Sequence, residues 1–482
     1  MSNKVTIRRL ATGVPGLDDL LGGGLPEFSF NLLAGTPGSG KTTLAHQMMF
    51  SLASPERRAL FFTVLGESPL KMLRYQQQFP FFDIDKLNQS IKFVNLAAEL
   101  LDGNFDRVLA RITEEVQNFS PSLVFVDSFR SVAQSAKASE PGASGLANFV
   151  QRLGMQMTSW QATTFLIGEY LAPEAESSPV FTVADGIIWM SQVVHRDAMI
   201  RKIQVVKMRG QAQSVGVHTF RINDDGIEVF PRAVLSTNPV NDVSISGDVR
   251  MSMGVPVLDD MMGGGLPAGY SLLVVGPSGS GKSVLATEFL AEGVRVGEPG
   301  VIAAFEKSPN QLLSHKLDAL VKSGSVGVIN TRTLDLSLDE ILHDLVVMIK
   351  RMKAKRIVID SLSGLELALA SVFREDFRES LYRLVAVLTG MGVTVFMTSE
   401  LEDQYSFLRF SSYGNAFLAD AIVLQRYVEL DGQFKRVISV AKVRASAHSK
   451  DIRFFDVEKD NIVIGEALTH YRGILTGQPT GG

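Results

Sequence analysis

GTPGSGKT at Gly35–Thr42 and GPSGSGKS at Gly276–Ser283 each fit the pattern G-x-x-x-x-G-K-[ST], and each sits between an apolar run and a helical pattern. Glycines let such a loop wrap closely with its backbone N–H groups turned inward. The following helix N-terminus adds positive potential, and the lysine neutralises charge. The residues expected to cradle a triphosphate are Gly35, Thr36, Pro37, Gly38, Ser39, Gly40, Lys41, Thr42 and Thr43, then Gly276, Pro277, Ser278, Gly279, Ser280, Gly281, Lys282, Ser283 and Val284. A single match could be a glycine-rich turn that binds nothing. Two matches in the same context make that reading remote.

Outward from these loops the chain repeats itself. ATGVPGLDDLLGGGLPEFSFNLLAGTPGSGKTT at Ala11–Thr43 answers MSMGVPVLDDMMGGGLPAGYSLLVVGPSGSGKSV at Met251–Val284. LVFVDS around Asp127 answers IVIDS around Asp360, and QVVKMRG around Lys207 answers SVAKVRA around Lys442. The offsets are 282 − 41 = 241, 360 − 127 = 233 and 442 − 207 = 235 residues, so one domain has been duplicated. The boundaries expected are a first domain over 1–235, a linker over 236–247 within the polar stretch RAVLSTNPVNDVSISG, and a second domain over 248–482.

The short apolar runs NLLAG, ALFFTVL, IKFVN, SLVFVD and TTFLIG read as parallel strands buried on both faces, and LLVVG, VIAAF, VGVIN, RIVID and VTVFMTS mirror them. Between them lie amphipathic stretches such as Asp106–Asn118, with Val108, Leu109, Ile112 and Val116 on one stripe. The expected fold is α/β, with two tandem P-loop domains. Each is a doubly wound, mostly parallel sheet, and RKIQVVKM with HTFRI, or KRVISVAKV with IRFFDV, adds an antiparallel hairpin at one edge.

Composition bounds the rest. The 482 residues are 45% hydrophobic, 20% charged and 8% aromatic, which is globular and excludes disorder as the general state. A formal charge of -4 offers no global attraction to nucleic acid or an anionic membrane, so nucleic acid is an unlikely partner. No apolar run approaches the length of a membrane span, and the polar start MSNKVTIRRLATG is unlike a secretion signal. With no cysteine, thiol catalysis and disulfides are excluded, and the location expected is cytoplasmic.

ATP with Mg²⁺ is the ligand these loops suggest. Thr42 and Ser283 would offer hydroxyls to the metal. Asp127 and Asp360, at the ends of apolar strands 127 − 41 = 86 and 360 − 282 = 78 residues after the lysines, would hold it directly or through water. A strand-end aspartate can also simply cap a turn. A water-orienting carboxylate is expected on the strand beside the loop strand, and there the halves diverge: Gly66-Glu67 stands against Glu306-Lys307. Glu67 and Glu306 are the candidates, with Glu169 and Glu400 just past a later strand as alternatives. Lys207 and Arg209, like Lys442 and Arg444, are spaced by two and read as paired cations for an anion, against the alternative of solvated edge-strand charges.

GVPGLDDLLGGGLP before a phosphate loop, a second such unit, and K-x-R late in each half together resemble the KaiC family of RecA-like ATPases over nearly the whole chain. The resemblance implies a homohexameric double ring with ATP at subunit interfaces, K-x-R cations acting in trans, a Glu-Glu pair as catalytic carboxylates, and a regulatory protein partner. The chain departs from the family in three places. The Glu-Glu pairs are incomplete. Ala416 and Phe417 occupy the positions of the clock members' autophosphorylated Ser-Thr pair, leaving Ser411 and Ser412 upstream as substitutes. The chain ends at GILTGQPTGG where clock members carry a long tail. The expectation is an ATPase of signalling or regulatory type. A nucleotide-gated scaffold and a Ser/Thr autokinase stand as alternatives.

Overall fold

The structure is a computed structural model that describes residues 7–64, 69–87, 89–100, 104–132, 143–171, 178–195, 198–232, 249–305, 314–330, 336–374, 376–401, 418–430, 432–469, 471–472 and 480–481. The chain divides into two compact units, Met1–Arg232 and Ala233–Gly482. The expected linker over 236–247 falls outside the described residues.

In the first unit the sheet strands are β1 (Phe30–Gly35), β2 (Ala59–Thr63), β3 (Ile91–Asn95), β4 (Leu123–Asp127), β5 (Thr163–Glu169), β6 (Gly186–His195), β7 (Ala198–Met208), β8 (His218–Asn223) and β9 (Gly226–Phe230). Their spatial order is β9-β8-β7-β6-β1-β5-β4-β2-β3. The β1–β5, β1–β6, β4–β5, β2–β4 and β2–β3 pairs are parallel. The three remaining strands are added antiparallel. The second unit repeats the plan with β10 (Ser271–Gly276), β11 (Gly300–Ala304), β12 (Val326–Asn330), β13 (Arg356–Asp360), β14 (Thr394–Glu400), β15 (Ala421–Leu430), β16 (Gln433–Val443), β17 (Ile452–Glu458) and β18 (Asn461–Ala467). Its order is β12-β11-β13-β14-β10-β15-β16-β17-β18.

The five apolar runs of each half are β1 to β5 and β10 to β14. Their central residues are mostly apolar because both faces of each sheet are covered: Leu33, Phe61, Phe125 and Phe165 enter one core and Leu32, Leu60, Val124 and Leu166 the other. In the second unit Leu273, Val301, Ile357 and Val395 face one way, and Leu272, Ile302, Val358 and Phe396 the other. The antiparallel edge is larger than the expected hairpin. β6 is a sixth parallel strand outside the first half's five runs, and β9 and β18 extend each edge by one strand.

The amphipathic stretch after Asn104 is the helix Phe105–Phe119, whose buried residues include Val108, Leu109, Ile112 and Val116. Asn104 caps it by accepting from the N–H groups of Asp106 and Arg107. The helix Lys41–Leu52 shows no such stripe, because Leu44, Ala45, His46, Gln47, Met48, Met49 and Phe50 are all buried and the core encloses it.

The GVPxLDD element has a structural task. Asp18 Oδ1 accepts from Thr12 N (2.9 Å) and Thr12 Oγ1 (2.8 Å), and Asp259 accepts from Met253 N (2.7 Å) and Ser252 Oγ (2.5 Å). In each unit the first aspartate of the motif therefore ties down the segment that leads into the domain.

Candidate active site

Each phosphate loop joins the C-terminal end of its unit's central strand to an enclosed helix: β1 to Lys41–Leu52, and β10 to Lys282–Arg295. The residue at the helix N-cap is glycine in both, with φ 94° at Gly40 and 103° at Gly281, a left-handed backbone that L side chains adopt at a cost. A Cβ at Gly40 would also stand 2.7 Å from Ile222 Cδ1 and would have to displace the tip of that side chain. The loop can therefore turn tightly enough to present its N–H groups on the concave side.

Lys41 Nζ donates to Thr36 O (2.7 Å) and lies 3.4 Å from Ser39 Oγ. Lys282 Nζ donates to Gly276 O and Pro277 O, both at 2.8 Å. Both lysines are buried and folded back over their own loops, where a phosphate oxygen can replace the carbonyl partners. Burial lowers the Lys41 pKa from its ordinary value, and the charges of Glu169 and Asp127 work against that shift.

The metal-type pair forms in the first unit. Thr42 Oγ1 donates to Asp127 Oδ2 at 2.6 Å, closing a sequence gap of 85 residues. These are two hard oxygen donors on one side of the loop, which suits Mg²⁺. Burial pushes the Asp127 carboxyl up to about 6. The Thr42 hydrogen bond and Lys41 oppose that shift, and the Glu169 charge adds to it. In the second unit Asp360 Oδ1 instead accepts from Thr398 Oγ1 at 2.5 Å, and among the described residues no Ser283–Asp360 hydrogen bond forms. Thr398 on β14 corresponds to Ile167 on β5, so the first unit has no hydroxyl at this place. The peptide bond after each strand-end aspartate, Asp127-Ser128 and Asp360-Ser361, is cis.

The first loop opens on a cavity of about 790 Å³ whose lining includes Gly38, Gly40, Lys41, Thr42, Thr43, Tyr75, Asp127, Arg130, Glu169 and Tyr170. That is a suitable size for a small-molecule ligand. Side chains from the next strand hold the loops. Gln192 Nε2 donates to Pro37 O (3.0 Å), and at the corresponding position in the second unit Tyr427 Oη donates to Gly279 O (2.7 Å). Neither contact is legible in the sequence, because each depends on how β6 and β15 lie against the loop.

The K-x-R pairs go elsewhere. Lys207 Nζ donates to Thr182 O (3.2 Å), and Arg209 pairs with Asp185 (3.1 Å). Lys442 Nζ donates to Ala419 O (2.6 Å), and Arg444 pairs with Asp420 (2.9 Å). In both units a β-bulge lies one residue before the lysine, between the rows Ile187/Ile188 and Ile422/Val423, and it re-aims the strand end. Ile187, opposite Lys207, is level with Leu32, three residues before Gly35 on β1, or roughly 10 Å at strand rise. Each pair therefore stands towards the N-terminal end of the parallel strands, away from its own phosphate loop. The arginines lie just past the strands, 61% and 57% exposed. Glu67, Glu306, Ser411 and Ser412 lie outside the described residues, but the strands that precede the two glutamates, β2 and β11, do not adjoin the loop strands as expected: β5 and β4, or β14 and β13, stand between.

The described geometry thus has a phosphate loop on a central parallel strand in both units, and a strand-end carboxylate joined to the loop's hydroxyl in one. A family model for the KaiC ATPase matches the chain twice, over residues 10–234 and 251–469. The chain belongs to the KaiC family. Among its KaiC relatives, "Circadian clock oscillator protein KaiC" of Picosynechococcus sp. is 28% identical, over 98% of this chain and 93% of that protein. "Circadian clock protein KaiC3" of Synechocystis sp. is 29% identical over 98% and 95%. The Prochlorococcus marinus "Circadian clock oscillator protein KaiC" is 28% identical over 98% and 95%. Both KaiC-type domains are therefore present along the chain. Among the described residues no helix is long and apolar enough to cross a membrane.

Proposed function

We propose that this KaiC-family protein is a Mg²⁺-dependent ATPase with one nucleotide site in each unit. The observation that carries the reading is the Thr42–Asp127 contact at 2.6 Å beside Lys41 in an open cavity. The loop N–H groups and Lys41 or Lys282 bind and orient the triphosphate, and the lysine's charge meets the charge that develops on the γ-phosphoryl group. Thr42 with Asp127, and Ser283 with Asp360, would hold Mg²⁺, which when bound would neutralise charge on the phosphate oxygens. Water attacks in line, and ADP and phosphate leave. Replacing both lysines, K41A/K282A, is expected to abolish ATP binding and phosphate release; undiminished release from the double variant would overturn the reading.

The assembly belongs to the same proposal. The protein forms a nucleotide-dependent homohexamer of two rings, located in the cytoplasm, that signals to a protein partner. The K-x-R pairs of one protomer face the nucleotide of the next. Their distance from the local loop supports this, because a cation that cannot serve its own site is available to a neighbour's.

The second unit also supports a reading as a nucleotide-gated scaffold, since Asp360 is engaged by Thr398 rather than by the loop hydroxyl. Gel filtration with and without ATP, beside a steady-state phosphate assay, separates the two readings: assembly without turnover favours the scaffold.

A further inference from the structure

The two phosphate loops share a pattern but are fastened to the sheet at different points. In the first unit the fastening is at the start of the loop. Thr36 N donates to Met190 O (3.2 Å), Thr36 Oγ1 accepts from Gln192 N (3.3 Å), and Gln192 Nε2 donates to Pro37 O (3.0 Å). The second loop has Pro277 where the first has Thr36, and proline offers neither an N–H nor a hydroxyl. The Thr36 bonds therefore have no counterpart there.

Side chains of β15 fasten the second loop further along instead. Ser280 Oγ donates to Gln425 Oε1 (3.1 Å), and Tyr427 Oη donates to Gly279 O (2.7 Å). Ser280 N also closes the loop's own turn on Pro277 O (3.3 Å), so holding Ser280 holds the turn. Gln425 corresponds to Met190 on β6, since 425 − 190 = 235 residues, the offset of the K-x-R repeat. A thioether is only a weak acceptor, and Ser39, the first unit's counterpart of Ser280, lies 3.4 Å from Lys41 Nζ.

Folding alone does not call for an amide at this place. Gln425 and Ser280 are fully buried, and among the described residues the Gln425 Nε2 group has no hydrogen-bond partner. A buried donor left unsatisfied weakens a fold, and an apolar side chain of similar size, such as the methionine of the first unit, would avoid that cost. What the amide does provide is a hold on Ser280, two residues before Lys282, in the loop whose N–H groups meet the phosphates.

We propose that Gln425 is a positioning residue of the second nucleotide site: it keeps the phosphate loop in its binding shape through Ser280, with Tyr427 as a second brace on Gly279. This inference rests on the reading of each loop as a nucleotide site and deepens it for the second unit. Gln425 acts on the ligand only through the loop. A loop that is already held loses less freedom when the triphosphate binds, so the effect falls on affinity.

The test uses the full chain carrying K41A, so that nucleotide binds at the second site alone. Q425M, S280A, Q425M/S280A and Y427F are compared in that background by titration with Mg²⁺ and a fluorescent ATP analogue, and by thermal unfolding without nucleotide. Q425M keeps the volume and installs the first unit's residue. Its dissociation constant is expected to rise about 3- to 10-fold, the equivalent of one hydrogen bond. Its unfolding temperature should stay the same or rise, because the unsatisfied donor is gone. S280A should lose a similar factor, and Q425M/S280A no more than either single change, since both remove the same bond. Y427F, which deletes only the hydroxyl on Gly279, should weaken binding comparably. Unchanged affinity in Q425M would overturn the assignment. So would a loss of affinity matched by a lower unfolding temperature, which marks a packing defect, or losses that add in Q425M/S280A. Unchanged affinity in Y427F would remove the second brace. A K41A parent that binds no nucleotide would instead overturn the reading of the second loop as a nucleotide site.

Discussion

The two phosphate loops are built from the same strand, the same glycine N-cap and the same lysine, yet their aspartates are bound to different partners. Asp127 takes the loop hydroxyl of Thr42, whereas Asp360 takes Thr398 on the adjacent strand. Duplication has preserved the cradle, and the shell around it has drifted. At the strand position where the second unit has Thr398 the first has Ile167, and only the hydroxyl can offer the aspartate a hydrogen bond. The helices differ in the same way: His46 in the first is Thr287 in the second.

The comparison can be broken or sharpened by experiment, and the largest effects belong to the lysines. K41A and K282A, made singly, are each expected to lower turnover at their own site by about 10²- to 10³-fold, so phosphate assays on the pair apportion activity between the units. Equal and near-complete loss from either one would show that the sites do not work separately. Next comes T398V, which leaves buried Asp360 without its donor. Denaturant unfolding should show the second unit weakened by about 1–3 kcal/mol.

A pH series separates the units further. Burial against Phe61 drives the His46 pKa from 6.5 down to about 3, so the folded state prefers the neutral ring. A folded pKa below the unfolded one means that this contribution is intact above pH 6.5 and is lost as pH falls towards 3. The cost to the first unit is about 2 kcal/mol at pH 5. H46L should remove that slope, while T287L in the second unit should leave its acid stability unchanged. The smallest effect on stability is that of R209A and R444A. Their ion pairs are exposed and should contribute less than about 1 kcal/mol by thermal unfolding. If the cations act in trans, the same variants still lower turnover of the assembled protein, and normal turnover would remove them from the site.

Much of this architecture is legible in the sequence because it rests on period and spacing. Ala59–Phe62 and Ile357–Ile359 are apolar at every consecutive residue, which is what a strand covered on both faces needs. G-x-x-x-x-G-K-[ST] encodes a backbone path, and the structure follows it in both units. The edge strands are harder to read. In β6 the apolar GIIWM runs on into SQVVH, where Val193 and Val194 are exposed, so neither the buried-run pattern nor strict alternation extends along its length. GIEVF of β9 is short enough to pass for a turn. The Asp360–Thr398 bond joins residues 38 apart, and the Gln192 and Tyr427 contacts join residues about 150 apart. Contacts of this kind depend on register between strands, which no local pattern reports. The K-x-R pairs were recognisable as cations. Their placement away from the local loop follows from the antiparallel register of β6 with β7 and of β15 with β16, which no local pattern reveals.

The most direct test is to count nucleotides. Equilibrium binding of ATP with Mg²⁺ should saturate at two per chain in the wild type, one in K41A, one in K282A and none in the double variant. Saturation at fewer than two in the wild type, or binding that survives loss of both lysines, would contradict the claim that each half of this chain carries a working triphosphate cradle.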